Sequence, residues 1–429
     1  MNAITAVPTG AAQTADPTVW AGRLLSVNNY HYRRGGAEVV FLEQNRLFEE
    51  IGWDVVPFAM RHPDNLPSPY ARYFVDEIEH GRDYGAMRKL RSAASIVYSR
   101  EARARLRALI AAAPPDVAHV HNIYHHLSPS FLPVLKAAGV PIVMTVHDLK
   151  LACPAYTMLS HGSLCERCRG GRIHNVALHR CIKGSAALSG LVLVETALHR
   201  MLGLYRRTID RFVAPSRFYI DKLCEWGWPR DRFVHIPNFV DSDRLAFGPE
   251  AGRGFLYAGR LSPEKGLDTL VRAGARAGQS VILVGTGPME ASLRALAAET
   301  GADVRFLGYR TGTDLHAVMR GARAVVMPST WYENAPISLM EAYALGRPVI
   351  GSRIGGIPEL VREGETGSTY PAGDVDALAA QMRRFAELPD ERLRGLGAAA
   401  RTWVEADFSR DAYRARLLDL YRELRERRR

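Results

Sequence analysis

The chain has 429 residues, 47% of them apolar, with a formal net charge of +11 and five cysteines. That length exceeds one ordinary domain and suggests two of about 200 residues each. No run of about 20 uncharged apolar residues occurs, so a transmembrane helix is not expected.

Residues 1–21, small, polar and Pro-containing, read as a disordered tail. They lack the basic and apolar regions of a secretory signal, so a cytoplasmic, reducing setting for the cysteines is expected. Short apolar runs then alternate with amphipathic stretches. "RLLSV", "DVVPFAM", "VAHVHN" and "PIVMTVHD" read as buried strands, and "GAEVVFLEQNRLFEEIG" as a helix with apolar positions near 3.6 spacing. The pattern restarts after "RFVAPS" and "VHIPNFVD" with "GFLYAGR", "SVILVGTG", "VRFLGY", "AVVMPS" and "PVIGS". Strands alternating with helices imply α/β architecture with parallel sheets. The expected organisation is an N-terminal Rossmann-like domain over 22–240, a second over 241–407, and a C-terminal helix over 408–429. In such sheets ligands bind beyond the carboxyl ends of the strands, so the post-strand loops are where chemistry is sought.

Five of those loops carry candidates. Gly35 and Gly36, between a strand and a helix, would let backbone N–H groups approach an anion. His147 ends another strand. Arg260 and Lys265 follow "FLYAG" and could clamp a diphosphate, although a solvated loop explains them as well. Gly285 and Gly287 form a short GxG, which a tight turn also explains. "PSTWYENAPISLMEAYALGRPVIGS" holds Glu333 and Glu341 with seven residues between them. Asn334 suits an N-cap and Pro336 a first turn, so a helix is expected from near Asn334 to Ala344, with Glu341 about two turns in. The helix end between the glutamates offers free N–H groups and a positive dipole end.

Taken together, Glu333-x7-Glu341, Arg260 with Lys265, Gly35-Gly36 and His147 resemble the family-4 glycosyltransferases, retaining enzymes of the two-domain GT-B fold, over roughly residues 22–425. The resemblance implies that a hexose-type sugar moves, with retention, from a nucleotide-diphospho-sugar to a hydroxyl of a glycan or lipid-linked acceptor. Polysaccharide or glycolipid biosynthesis is the implied setting. It assigns Glu333 to the transferred sugar, Glu341 to the ribose, and Arg260 and Lys265 to the leaving diphosphate. Gly35 and Gly36 would approach the phosphates, His147 the donor sugar, and Arg310 the base. Gly285, Asn334, Ala335 and Ile337 complete the expected substrate-binding set. Many members have Glu-Gly-Phe-Gly where this chain has Glu333-Asn334-Ala335-Pro336, and Pro336 has no N–H to donate. Donor identity therefore does not carry over. The C-terminal helix would return to the N-terminal domain.

Asp241-Ser242-Asp243 fits the Asp-x-Asp of metal-dependent transferases but reads as turn and cap chemistry. No catalytic metal is expected. Cys153, Cys165, Cys168 and Cys181, in a loop over 151–184, have the CxxC spacing of a structural zinc site, with free thiols or disulfides as the alternatives. Cys224 stands alone and reads as core. Residues 1–240 carry most of the positive charge, including Arg82, Arg88, Lys89, Arg91, Arg100, Arg103, Arg105 and Arg107. An anionic membrane, on the inner face of the plasma membrane, is the partner expected for that half, with "LSGLVLVETALHRMLGLYRR" as a helix able to lie on it. Packing of that helix on the sheet is the alternative. A nucleotide-sugar epimerase and a non-catalytic basic binder are the rival functions. Nucleic acid is not expected, because aromatic–basic interleaving is absent.

Overall fold

The computed structural model describes residues 21–77, 86–248, 250 and 252–427, with the side chains of 86–91 outside the description. Residues 1–20 of the expected tail, Arg82 and the side chains of Arg88, Lys89 and Arg91 therefore lie outside the described residues.

The first sheet has six strands: β1 (Arg23–Val27), β2 (Asp54–Phe58), β3 (Val117–Val120), β4 (Ile142–Thr145), β5 (Arg211–Ala214) and β6 (Phe233–His235). Their order is β2-β1-β3-β4-β5-β6, all parallel. The central strands are mostly apolar because helices cover both faces, with Ser26, His119 and Thr145 as buried polar exceptions. Pro57, opposite Ser26, is tolerated because β2 is an edge strand that need not donate outward. The second sheet comprises β7 (Phe255–Ala258), β8 (Val281–Val284), β9 (Val304–Phe306), β10 (Ala324–Met327), β11 (Val349–Ser352) and β12 (Gly367–Tyr370). Its order is β9-β8-β7-β10-β11-β12, again parallel. The strand order reverses between β1 and β3 in one sheet and between β7 and β10 in the other. Those switch points open crevices at the carboxyl ends of the strands.

Seven helices position the site: α1 (Gly36–Glu49), α2 (Ala186–Met201), α3 (Arg217–Glu225), α4 (Leu267–Ala277), α5 (Ile337–Ala344), α6 (Asp390–Asp407) and α7 (Arg410–Glu426). As expected, α7 returns to the first sheet. Leu417 and Tyr421 are fully buried against a face that includes Leu24, Phe48 and Val143. The Tyr413 hydroxyl donates to Gln44 Oε1 at 2.8 Å, and Arg410 pairs with Glu50. Asp241 pairs with Arg244 at 2.9 Å and with Arg410 at 3.3 Å, while Ser242–Arg244 form a single 3₁₀ turn. The Asp-x-Asp stretch is thus occupied by turn formation and by anchoring α7. Cys224 is half-buried against the first core.

The domains also meet directly. Glu359, from the second domain, accepts the N–H groups of Arg217 at 2.8 Å and Phe218 at 2.5 Å, and so caps α3 of the first. A carboxylate at a helix start satisfies orphan donors and matches the dipole. Glu359→Ala is therefore expected to cost about 0.5–2 kcal/mol of stability, read as a lower midpoint in chemical denaturation; an unchanged midpoint would remove this cap from the account.

Candidate active site

The stretch "PSTWYENAP" leaves β10 and crosses toward the first domain. Ser329 is fully buried at the strand end, and its hydroxyl donates to Glu333 Oε1 at 2.5 Å. Lys265, in the 3₁₀ turn before α4, donates to the same oxygen at 2.7 Å. The Lys265 ammonium also lies 4.9 Å from the centre of the Trp331 ring, on the loop beside it. Burial pushes the Glu333 carboxyl upward, but the Lys265 charge and the hydrogen bonds from Lys265 and Ser329 outweigh it and hold the pKa below normal. Glu333 is therefore an ionised carboxylate at the bottom of the cleft.

Asn334 departs from its expected role. It does not cap a helix: α5 begins at Ile337, with Pro336 as its N-cap and no side-chain cap hydrogen bond. Asn334 Nδ2 instead donates to Val146 O at 2.8 Å, and its Oδ1 accepts from Ser216 Oγ at 2.9 Å. Both partners belong to the first domain, so the amide is used as an inter-domain clamp. The Ala335 carbonyl likewise accepts from Asn238 Nδ2 at 2.9 Å. Glu341 consequently lies about one turn into α5 rather than two. It is half-buried, and burial raises its pKa while the Arg33 charge from the first domain opposes that.

The clamp brings His147 beside Glu333–Asn334, since His147 directly follows Val146. Across the same gap, Ile337 Cδ1 lies 4.0 Å from where a Cβ on Gly36 would sit, so the N-termini of α1 and α5 face one another. Neither Gly35 nor Gly36 has a positive φ; what Gly36 supplies is room. Gly285 differs. Its φ is +129°, and a Cβ there would stand 1.9 Å from Gly259 O. The turns after β7 and β8 interlock at that point, which is the tight-turn reading. Arg260 is exposed, and its charge reaches Tyr156 in the Cys-containing loop. Arg310 is also exposed, and its Nε donates to its own loop at Leu307 O, 3.2 Å. The structure does not bring Arg310 into contact with the Glu333 cluster.

Several site residues escaped the sequence reading. Ser329 had a signal, as a hydroxyl at a strand's carboxyl end. Glu166, inside "CERC", had none: it accepts from Tyr332 Oη at 3.0 Å and from Lys222 Nζ at 2.9 Å, tying the Cys-containing loop to the neighbour of Glu333. Asp148, next to His147, is pushed up to about 6 by burial, against a hydrogen bond from the Lys150 backbone N–H and the charges of Lys150 and His125. Beneath it, Lys150 Nζ donates to buried Glu195 at 2.9 Å and to Pro154 O at 2.9 Å. Although burial alone would raise it, Lys150 and His125 depress the Glu195 carboxyl to about 2. A depressed carboxylate contributes stability above its unfolded pKa and loses it as pH falls toward the folded value. The stability of the chain is therefore expected to decline between about pH 4.5 and 2, and Glu195→Gln should flatten that decline in melts recorded across the window.

The four clustered cysteines carry no disulfide. Burial, then the neighbouring sulfurs, pushes Cys168 up to about 12, and the same causes raise Cys153 and Cys181. Among the described residues, no group of three or more His, Cys, Asp or Glu side chains is arranged to hold a metal ion. The expected zinc ligands are thus neighbours without a preformed ligand set. No helix among the described residues is long and apolar enough to cross a membrane.

Comparison with known proteins agrees with this arrangement. The model of Glycosyltransferase Family 4 matches residues 34–244, and that of Glycosyl transferases group 1 matches residues 248–403. The chain is 30% identical over 263 residues to the GDP-mannose-dependent alpha-(1-6)-phosphatidylinositol monomannoside mannosyltransferase of Mycolicibacterium smegmatis, covering 56% of this chain and 68% of that one. It spans only 58%, 57% and 55% of the length of three other curated relatives. The fold is shared with sucrose-phosphate synthase from Thermosynechococcus elongatus (TM-score 0.66, 22% identity, 94% of this chain and 98% of that one). It is also shared with Anabaena Alr3699/HepE, solved with UDP and glucose (TM-score 0.64, 17% identity, 94% and 100%). With both halves matched in order and the two parallel sheets facing across a cleft, the chain belongs to the family-4 glycosyltransferases of GT-B fold.

Proposed function

We propose that the cleft transfers a hexose-type sugar, with retention, from a nucleotide-diphospho-sugar to a hydroxyl of a glycan or lipid-linked acceptor. The observation that carries this reading is the buried Lys265–Glu333–Ser329 cluster, clamped through Asn334 against the His147 strand end. The hard step is breaking the bond between the anomeric carbon and the diphosphate oxygen. Negative charge grows on the leaving phosphate while the sugar becomes oxocarbenium-like. Fixed cations at the leaving oxygens lower that barrier, and Lys265 with the exposed Arg260 supplies them. Glu333 faces the sugar, where an ionised carboxylate suits hydroxyls and developing positive charge. The acceptor oxygen then bonds to the anomeric carbon from the same face, and its proton passes to the departing phosphate. Glu341 takes the ribose and the facing N-termini of α1 and α5 take the donor's oxygens, with no catalytic metal. The named functions of the mannosyltransferase relative, and the UDP and glucose bound to HepE, support a sugar-nucleotide donor.

The test is incubation with a panel of nucleotide sugars and candidate acceptors. A glycosylated product bearing an axial or equatorial linkage matching the donor supports the proposal. Inversion, or an epimerised donor with no acceptor consumed, overturns it.

Two attachments belong to the same proposal. The outer side of α2 and its flanks exposes Leu178, Val194 and Met201 beside Arg180, Lys183 and Arg200, a composition suited to the surface of an anionic leaflet. Flotation that is the same on neutral and anionic liposomes would overturn it. Zinc at Cys153, Cys165, Cys168 and Cys181 would draw four neighbouring thiols together and fix the loop that carries Glu166. Less than about half an equivalent of co-purifying zinc per chain would overturn that assignment, since a four-thiolate site holds its metal tightly.

A further inference from the structure

Three imidazoles form a column from α7 to the cleft. His119 and His121 stack with ring centres 4.7 Å apart and planes at 18°, and His121 and His147 at 5.2 Å and 22°. His119 uses both nitrogens, one with Tyr421 Oη and the other with Thr145 Oγ1 at 2.7 Å. His121 Nδ1 lies 2.9 Å from His147 Nε2, whereas His121 Nε2 is buried with no hydrogen-bond partner among the described residues.

We propose that His121 is a positioning residue that holds His147 in its Nδ1–H tautomer, so that His147 presents a hydrogen-bond donor, and no basic lone pair, to the bound sugar. Both rings are neutral near pH 7, because burial lowers His147 to about 4 and His121 well below its ordinary value. One proton must lie between His121 Nδ1 and His147 Nε2. If His147 donated it, neutral His121 would carry its own proton on Nε2, as a buried N–H with no acceptor. Orphaned N–H groups are the rarer and costlier kind of unmade hydrogen bond. If His121 donates instead, its Nε2 is merely an unused lone pair. His147 Nε2 is then an acceptor, and the His147 proton resides on Nδ1, which has no protein partner among the described residues. The ring can grip an oxygen lone pair of a sugar hydroxyl or carbonyl, and it cannot accept the acceptor's proton. This consequence rests on the proposed transferase reading; the tautomer itself does not.

The experiment is a long-range ¹H–¹⁵N correlation on the full chain labelled with ¹⁵N-histidine at pH 7, with signals assigned through His121→Phe and His147→Gln. The expected result is an unprotonated Nε2 and a protonated Nδ1 on His147. A proton on His147 Nε2 overturns the proposal whether or not transfer can be detected. Kinetics supply the second arm. His121→Asn keeps an amide N–H near the position of Nδ1 and should transfer sugar within about threefold of the native chain, whereas His121→Phe should lose about ten- to a hundredfold. Equal losses in the two variants overturn the positioning role. If His121→Phe fails to fold, the spectrum of the native chain still decides the tautomer.

Discussion

Lys265→Ala is expected to abolish sugar transfer and to weaken the fold at once. The Glu333 side chain is only 8% exposed, and Lys265 is its ion-pair partner. Removing one partner of a buried pair strands the other charge, at a cost of about 3–5 kcal/mol. Part of that is relieved if Glu333 takes up a proton, but a protonated Glu333 has lost the charge that the proposed reaction uses. Losing a preorganised cation at the leaving phosphate costs about 10²–10³ in rate by itself, and loss of the carboxylate charge multiplies it. Glu333→Gln separates the two effects. The amide oxygen can still accept from Ser329 and Lys265, and Lys265, less buried, keeps contact with water. Its denaturation midpoint should stay near that of the native chain while its transfer rate falls by the same two to three orders of magnitude or more. A Glu333→Gln chain with native activity would remove the carboxylate from the chemistry.

The second large effect lies far from the cleft. Tyr421 is fully buried on α7, with its ring 5.4 Å from Phe48 and 5.9 Å from His119. Tyr421→Ala should cost about 3–5 kcal/mol, the usual range for emptying an aromatic core position. Tyr421→Phe keeps the volume and removes only the hydroxyl bonded to His119, so about 1–3 kcal/mol is expected. Because α7 covers one face of the first sheet, the loss should appear in the N-terminal domain, although the substitution lies near the carboxyl end of the chain. Hydrogen exchange resolved by peptide would show it as lost protection in β1 and β3. Protection lost only within α7 would contradict this coupling.

Much of this was legible in the sequence. Nine apolar runs read as strands because parallel strands covered on both sides need largely apolar residues, whereas "RFVAPS" and "VHIPNFVD", beside which β5 and β6 form, marked only where the pattern restarts. β12 was missed because "GSTY" is small and polar and carries no such signal. The helix of "RDAYRARLLDLYRELRE" was evident from its period, but its partner was given only by family resemblance, since nothing local says which domain an apolar stripe will cover. The start of α5 was misread at Asn334 for a related reason. An Asn before a helix is a good local cap, yet here the opposite domain offers Val146 O and Ser216 Oγ, and a tertiary clamp outcompeted the local one. Glu166 and His121 show the same limit. Their roles depend on atoms far away in sequence, Tyr332 in one case and His147 in the other.

The central claim is that the Glu333–Lys265 cluster is the site where a sugar leaves its nucleoside diphosphate. Release of nucleoside diphosphate from a panel of UDP-, GDP- and ADP-sugars, followed by phosphorus NMR for the native chain and for Glu333→Gln, tests it most directly. The account predicts release from at least one donor by the native chain, and a fall of about 10²-fold or more in the variant. No release from any donor, or equal release by both chains, would contradict it.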